Sequence, residues 1–253
     1  MFSIELFQAH LNTKFLGHGL KYLPQTNSTN ENTWEYFQNG SPEGTLFITD
    51  DQQKGKGRRQ NKWVSTKGKS LTFSILLRPE MKLEKLGLLP LLTGVSIVEA
   101  IKSAASIQTG LKWPNDIMLN EKKMGGILVE SKSDQNGLGV VVGVGLNINE
   151  SEQDIPDSLS KQATSLAIYS NSSYSRELIL SAILNEFEQL YQNQMDDIIP
   201  LWQEYCIHRD TSVTFHTDTQ QCRGIFQGIN SLGHAEIKIN GKTESFSAGM
   251  MAL

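Results

Sequence analysis

The chain has 253 residues, 38% hydrophobic and 20% charged, which is enough apolar content to bury a core and excludes a disordered polymer. Its 23 basic and 27 acidic residues leave a net charge of −4, which argues against a chain-wide nucleic-acid surface but allows a local basic site. Two cysteines, Cys206 and Cys222, are too few for a disulfide framework or a four-ligand zinc site, so idle thiols in a reducing compartment are expected.

The N-terminal stretch lacks a secretory design: Glu5 interrupts its apolar run and no basic cluster precedes it. Ser28 and Thr29 suit a helix N-cap ahead of a helical segment over 31–37. Residues 45–49 and 70–77 are rich in β-branched and apolar side chains and read as strands. The apolar run 86–101 is broken by Pro90 and closed by Glu99, short of the roughly 18 residues of a membrane span, so a buried helix over 86–104 is expected. A cytoplasmic protein with no membrane partner follows from these readings.

Residues 111–130 read as two strands joined by a turn at Asn120-Glu121, and 140–144 as a strand buried on both faces. A polar surface loop is expected over 150–160. Leu178, Ile179, Ala182, Ile183, Phe187 and Leu190 recur at helical spacing, which predicts an amphipathic helix over 176–192. Beyond Trp202 the pattern shortens to strands at 212–216, 222–227, 235–239 and 243–248, punctuated by Gly228, Gly233 and the hairpin signal Asn240-Gly241. Such a tail suits a small barrel, which places a domain boundary near residue 206.

Two segments carry chemistry. Residues 52–70 hold Lys54, Lys56, Arg58, Arg59, Lys62, Lys67 and Lys69 with no acid; with −4 overall and +7 here, the remainder carries −11. Gly55 and Gly57 allow φ > 0 and close approach of amides to an anion, and Arg58 and Arg59 offer forked donors for phosphate or carboxylate. The dinucleotide-binding pattern fails at Gln60 and the P-loop pattern fails at Trp63. Either a solvated basic loop or an anion-binding loop satisfies these residues alone. The second segment, Lys112-Trp113-Pro114-Asn115-Asp116, places cation, aromatic and acid around a proline, with Asp116 expected opposite Gly125-Gly126 and near Lys123. A surface ion pair is one reading of Lys123 and Asp116; a site that binds a carboxylate and a nucleotide phosphate is the other.

In order and approximate spacing, Ser28-Thr29-Asn30, the stretch from Gln52 to Arg59 with Trp63, the stretch from Lys112 to Asp116, the stretch from Lys123 to Glu130, and Gly143-Val144-Gly145-Leu146-Asn147-Ile148-Asn149 resemble the biotin–protein ligases. The resemblance is close over about residues 20–150. It implies an α+β fold: a catalytic domain over 1–205 with a mixed sheet flanked by helices, like the class II aminoacyl-tRNA synthetase core, and an SH3-like barrel over 206–253. It also implies ATP and Mg²⁺ as cofactors, biotin as substrate, biotinyl-5′-AMP as intermediate, and a biotin carboxyl carrier protein as acceptor. Some members carry an N-terminal DNA-binding domain; Ser28 stands too near the start to leave room for one, so a short form with no DNA partner is expected, as a monomer or weak homodimer.

Carried over by position, Ser28, Thr29, Asn30, Gln52, Gly55, Lys56, Gly57, Arg58, Lys123 and Gly126 would bind biotin. Arg58, Arg59, Trp63, Lys112, Asn115, Asp116 and Asn147 would face the nucleotide, with Asp116 helping to hold Mg²⁺. Lys123 and Arg58 are the expected catalytic pair. Two departures stand out: Lys56 replaces the family's usual arginine and Gln60 its usual glycine. A lipoate or octanoate ligase of the same fold, and a non-catalytic biotin-binding regulator, are the competing readings.

Overall fold

Runs of β-branched and aromatic residues bounded by turn formers build two sheets, and longer apolar-periodic stretches supply the helices that cover the larger one. The computed structural model describes residues 1–135, 137–193, 195–217 and 221–252, with the backbone alone at Gln60 and Asp196. In chain order the elements are α1 (Ile4–Ala9), β1 (Leu20–Leu23), α2 (Thr29–Gln38), β2 (Leu46–Thr49), β3 (Gly55–Lys56), β4 (Lys62–Trp63), β5 (Leu71–Leu77) and α3 (Leu89–Ala105). They continue with β6 (Gly110–Lys112), β7 (Asp116–Leu119), β8 (Lys122–Asp134), β9 (Gly137–Leu146), α4 (Leu166–Ser170), α5 (Arg176–Asn193) and α6 (Ile198–Tyr205). The tail is β10 (Ser212–His216), β11 (Gln221–Ile229), β12 (Ala235–Ile239), β13 (Lys242–Phe246) and β14 (Met250–Ala252).

The larger sheet runs β1-β2-β5-β9-β8-β7-β6. Only β1 and β2 pair in parallel; every other neighbour is antiparallel, so the sheet is mixed. Helix α3 is buried on nearly all sides, with Leu89, Leu91, Leu92, Val95, Ile97, Val98 and Ile101 in the core. It lies against one face, where Gly94 brings its backbone close to Leu111 and Ile127. Helix α2 covers the opposite face, where Trp34 and Phe37 pack on Leu76 and Val141. The expected α+β architecture, a mixed sheet flanked by helices, is therefore present.

Three details differ from the sequence reading. The long helix begins at Leu89 rather than at residue 86, with Pro90 in its first turn, where its missing N–H has no helical partner to lose. With the 3₁₀ turn Leu83–Leu88 ahead of it, the segment Leu83–Ala105 is long and apolar enough to span a bilayer by length and composition, yet 67% of its most apolar 18-residue stretch is buried inside the protein. Residues 111–130 fold into three strands rather than two, because Trp113, Pro114 and Asn115 form a second reversal between β6 and β7. Residues 150–160 are a surface segment as expected, but Glu150 at its start is 2% exposed. Helices α1, α4 and α6 and strands β1 and β14 are too short for periodicity to announce them.

The tail forms an antiparallel sheet ordered β13-β12-β11-β10-β14. Among the described residues its edge strands β13 and β14 do not pair, so the sheet is open rather than a closed barrel. It docks on the larger sheet through Trp113, whose Nε1 donates to the Gly233 carbonyl at 3.0 Å and whose ring packs on Phe215.

Phe37 lies flat on the backbone of Gly139, where an added Cβ would come within 2.4 Å of the ring. Gly139→Ala should therefore lower stability by about 1–3 kcal/mol through overpacking. Chemical denaturation measures this, and adding Phe37→Leu to the same chain should recover part of the loss.

Candidate active site

The register of the larger sheet builds the floor of a cavity. Thr72, Gly145, Gly126, Asp116 and Lys112 are direct cross-strand neighbours on β5, β9, β8, β7 and β6. Such neighbours share a face, so two consecutive strands contribute no side chain between Thr72 and Asp116. The result is a trough about three inter-strand gaps wide, roughly 14 Å. A cavity of about 260 Å³ opens over it.

Lys123 joins this face through an irregularity. It stands three positions from Gly126, so in a regular strand the two would point to opposite sides. The register slips between Ile117 and Met118, leaving Met124 as an extra residue, and this bulge turns Lys123 toward Gly126. Its ammonium would be 3.4 Å from a Cβ at Gly126 and lies 2.5 Å from Asp116 Oδ1. The Lys123 backbone is tied instead to the segment after β9: its N–H donates to Gln162 and its carbonyl accepts from Thr164.

The basic loop arches over the trough as a small hairpin, β3 paired with β4. Here the expectation for the glycines needs correction. Neither Gly55 nor Gly57 adopts positive φ; Arg59 does, at 53°. Gly55 is required because a Cβ would meet the Trp63 carbonyl at 2.5 Å across the hairpin. The Trp63 indole lies on Gly145, where a Cβ would fall 2.3 Å from the ring. Lys56 is occupied at the rim, 2.6 Å from Glu31 on α2, and largely exposed. Of Gln60 the side chain lies outside the described residues.

From α2, Ser28 caps the helix by accepting from the Glu31 N–H. Thr29 donates from N and Oγ1 to Gln52 Oε1 at 2.9 and 3.3 Å. Ser74 Oγ lies 2.7 Å from Thr29 Oγ1 and 2.6 Å from Asn30 Oδ1, and Asn30 Nδ2 donates to Glu130 at 2.7 Å. Asn30 fits only because Gly143 beneath it has no side chain; a Cβ there would sit 2.1 Å from Oδ1.

Among the described residues six cations (Lys56, Arg58, Arg59, Lys62, Lys112 and Lys123) line the cavity against one carboxylate, Asp116. Burial pushes the Arg58 guanidinium below its ordinary pKa, neighbouring Arg59 adds to the shift and Asp116 opposes it. Burial lowers the Lys112 ammonium as well, with Asp116 opposing and Lys123 reinforcing. An anion entering this cavity supplies the counter-charge that favours both cations in their charged form.

The structure thus gathers Ser28, Thr29, Asn30, Gln52, Lys56, Gly57, Arg58, Arg59, Trp63, Lys112, Asn115, Asp116, Lys123 and Gly126 around one cavity. Gly55 and Asn147 do not line it. Asn147 Nδ2 donates to the Thr164 carbonyl at 3.0 Å, so its amide closes a strand end. Asn115 spends its amide on the Ile127 carbonyl at 2.7 Å, pinning the β6–β7 reversal to β8. The sequence reading singled out the 143–149 segment but gave Gly143 and Gly145 no place in the site, and it missed Thr72 and also Gly249, Met250 and Met251, through which the β14 end of the tail supplies one wall. The alternation of glycine and valine over 143–145 was the available signal for the first group. For β14 no local signal exists.

A family model described as "Biotin/lipoate A/B protein ligase family" matches residues 22–147, the stretch holding α2, the basic loop and β5–β9. The bifunctional ligase/repressor BirA of Bacillus spizizenii is 36% identical over 228 residues, which covers 88% of this chain and 70% of the relative. The chain belongs to the biotin/lipoate A/B protein ligase family. The biotin–acetyl-CoA-carboxylase ligase of Mycobacterium tuberculosis is a further relative at 28% identity, covering 91% of this chain and 87% of its own. Among solved structures, the biotin protein ligase from Aquifex aeolicus in complex with biotin and ATP matches with a TM-score of 0.80 at 28% identity, covering 93% of this chain and 98% of that one. Membership in the biotin/lipoate ligase family accounts for the basic loop and the Lys112–Asp116 reversal facing one another across a glycine floor.

Gly145→Ala should unseat the Trp63 ring. Indole emission is expected to shift red and acrylamide quenching to rise, and the same change in a Trp63→Phe background should alter neither.

Proposed function

We propose that this chain is an ATP-dependent biotin–protein ligase, which activates biotin as biotinyl-5′-AMP and transfers it to a lysine of a biotin carboxyl carrier domain. The observation that carries the reading is the excess of cations over a side-chain-free floor, since joining a carboxylate to a triphosphate brings two anions together. In the first step a biotin carboxylate oxygen attacks the α-phosphorus of ATP, forming the mixed anhydride and expelling pyrophosphate. In the second, the ε-amine of the acceptor lysine attacks the acyl carbon; an amide forms, AMP leaves and the amine gives up its proton.

Biotin lies along the trough with its carboxylate toward Lys123 and its ring system toward Thr72, Ser28 and Thr29, and the Trp63 ring that rests on Gly145 lifts with its loop to admit it. Two buried polar atoms at that end, Thr72 Oγ1 and Trp63 Nε1, have no hydrogen-bond partner within the protein and suit a neutral polar ring. Lys123 bridges the carboxylate and α-phosphate, and Arg58 faces the phosphate charge that grows as pyrophosphate leaves. Arg59 and Lys112 hold the nucleotide, and Trp63 and the loop keep water from the adenylate. Asp116 is the one carboxylate among the described lining residues, and a single hard oxygen donor fits a Mg²⁺ that takes its other oxygens from phosphates and water. Mg²⁺ held there would neutralise phosphate charge, and Lys123 would exchange its Asp116 contact for the incoming anions.

The chain is read as two domains, 1–205 and 206–253. The end of α6 at Tyr205 and the start of β10 at Ser212 support that division. The tail sheet then serves the reaction directly, since Arg58 Nη1 reaches the Gly249 carbonyl at 3.5 Å.

Incubation with ATP, Mg²⁺, biotin and an acceptor domain, read by intact mass, tests the reading: the acceptor should gain one biotinyl group. Gain with lipoate and none with biotin would establish the lipoate alternative instead. Lys123→Ala and Arg58→Ala should each slow adenylate formation by about 10²–10³, equivalent to about 2.7–4 kcal/mol. Lys56→Ala should be much milder, because that ammonium is already paired with Glu31 in solvent.

A further inference from the structure

The basic loop leaves the sheet at the end of β2 and returns at the start of β5, and a single buried side chain joins these two stems. Arg176, the first residue of α5, is 5% exposed. Its Nη2 lies 2.7 Å from Asp50 Oδ1 on the outgoing stem. Its Nη1 donates to the Ser70 carbonyl on the returning stem at 3.1 Å. The second Asp50 oxygen accepts from Tyr22 OH at 2.7 Å, and the Asp50 carbonyl accepts from the Gly68 N–H at 2.9 Å. Ser70 is held from its other side, with Oγ 2.5 Å from Glu150 Oε1 and accepting from the Thr66 N–H.

Burial raises the Asp50 carboxyl, but hydrogen bonds from Tyr22 and Arg176 and the Arg176 charge outweigh it and leave it below its ordinary pKa. It is therefore ionised at neutral pH, and the pair is a true ion pair. A guanidinium is the side chain that can do this, since its planar fork serves two acceptors at fixed angles. No atom of Arg176 lines the cavity. Its influence on the cavity therefore passes through the elements it ties, the stems of the loop that carries Arg58 and Trp63.

The geometry points to Arg176 as a positioning residue that retains the activated intermediate: by tying Asp50 to Ser70 it fixes the frame on which the 52–67 hairpin lies over the trough. The inference rests on the ligase reading above. Loosening the stems lets the hairpin lift, and a misplacement of about 1 Å is enough to weaken the cover strongly.

The test is release of biotinyl-AMP from the full chain supplied with biotin, ATP and Mg²⁺ but no acceptor, followed by rapid gel filtration. Arg176→Lys, which keeps the charge and loses the fork, should speed release about tenfold and raise hydrogen exchange at Gly68 and through 52–67. Ile183→Val, a core trim two turns further along α5, should lower the melting temperature without altering release, which separates positioning from general stability. Should Arg176→Lys not yield folded protein, Tyr22→Phe decides on the same two readouts, with a smaller rise expected. Unaltered release and exchange in the folded variant overturn the positioning role alone. A wild-type chain that forms no biotinyl-AMP overturns the ligase reading and this inference with it.

Discussion

A β-sheet offers a ligand its face only where side chains are absent, and the site depends on that constraint being met in register on neighbouring strands. Gly145 and Gly126 are direct partners across β9 and β8, and Gly143 repeats the vacancy one row further along β9. Each admits a different guest. Gly143 admits the Asn30 amide, Gly145 the Trp63 ring and Gly126 the Lys123 side chain. A methyl group at Gly143 or Gly145 would displace the Asn30 amide or the Trp63 ring, whereas one at Gly126 would only meet the Lys123 side chain at contact distance. The pairing of β5 with β9 and of β9 with β8 is thus the scaffold for both the floor and the groups that stand on it.

Charge follows from the same arrangement. Cations on a flexible loop in water repel one another weakly and are screened. Gathered above a half-buried floor they are desolvated, which is why Arg58 and Lys112 are both held below their ordinary pKa values. Asp116 offsets part of this, and its contact with Lys123 keeps one ammonium satisfied. The fold thus gathers the positive groups over one cavity, with Lys123 held on Asp116, without any ligand present.

Much of this was legible in the sequence, for reasons that can be named. The β-branched run of β9, the apolar length of α3 and the helical spacing of α5 are strong local signals, and all three elements lie where those signals put them. The opposition of Asp116 and Gly126 followed from placing the hairpin turn at Glu121. What stayed hidden is tertiary. The bulge at Met124 that swings Lys123 onto the ligand face has no composition signature, because it is enforced by backbone bonds to Gln162 and Thr164 some forty residues away. The glycines of the loop suit positive φ or an anion close to the amides, whereas Gly55 answers to the approach of the Trp63 carbonyl across the hairpin. Asn147 carries a family-motif position and yet spends its amide on the Thr164 carbonyl.

The third strand between 111 and 130 shows how one such hidden feature links the two sheets. The reversal at Trp113 turns β6 back along β7, which sets Lys112 beside Asp116. The same reversal drives the Trp113 indole into the tail, against Phe215 and the Gly233 carbonyl. Phe215 in turn lies over Gly249, where a Cβ would come within 2.1 Å of its ring, and Gly249 presents its carbonyl to Arg58. A contiguous chain of packed groups therefore runs from Lys112 through the tail sheet to Arg58. The tail is in this sense a clamp, holding Arg58 of the loop and Lys112 of the reversal at one spacing although they stand 54 residues apart in the chain.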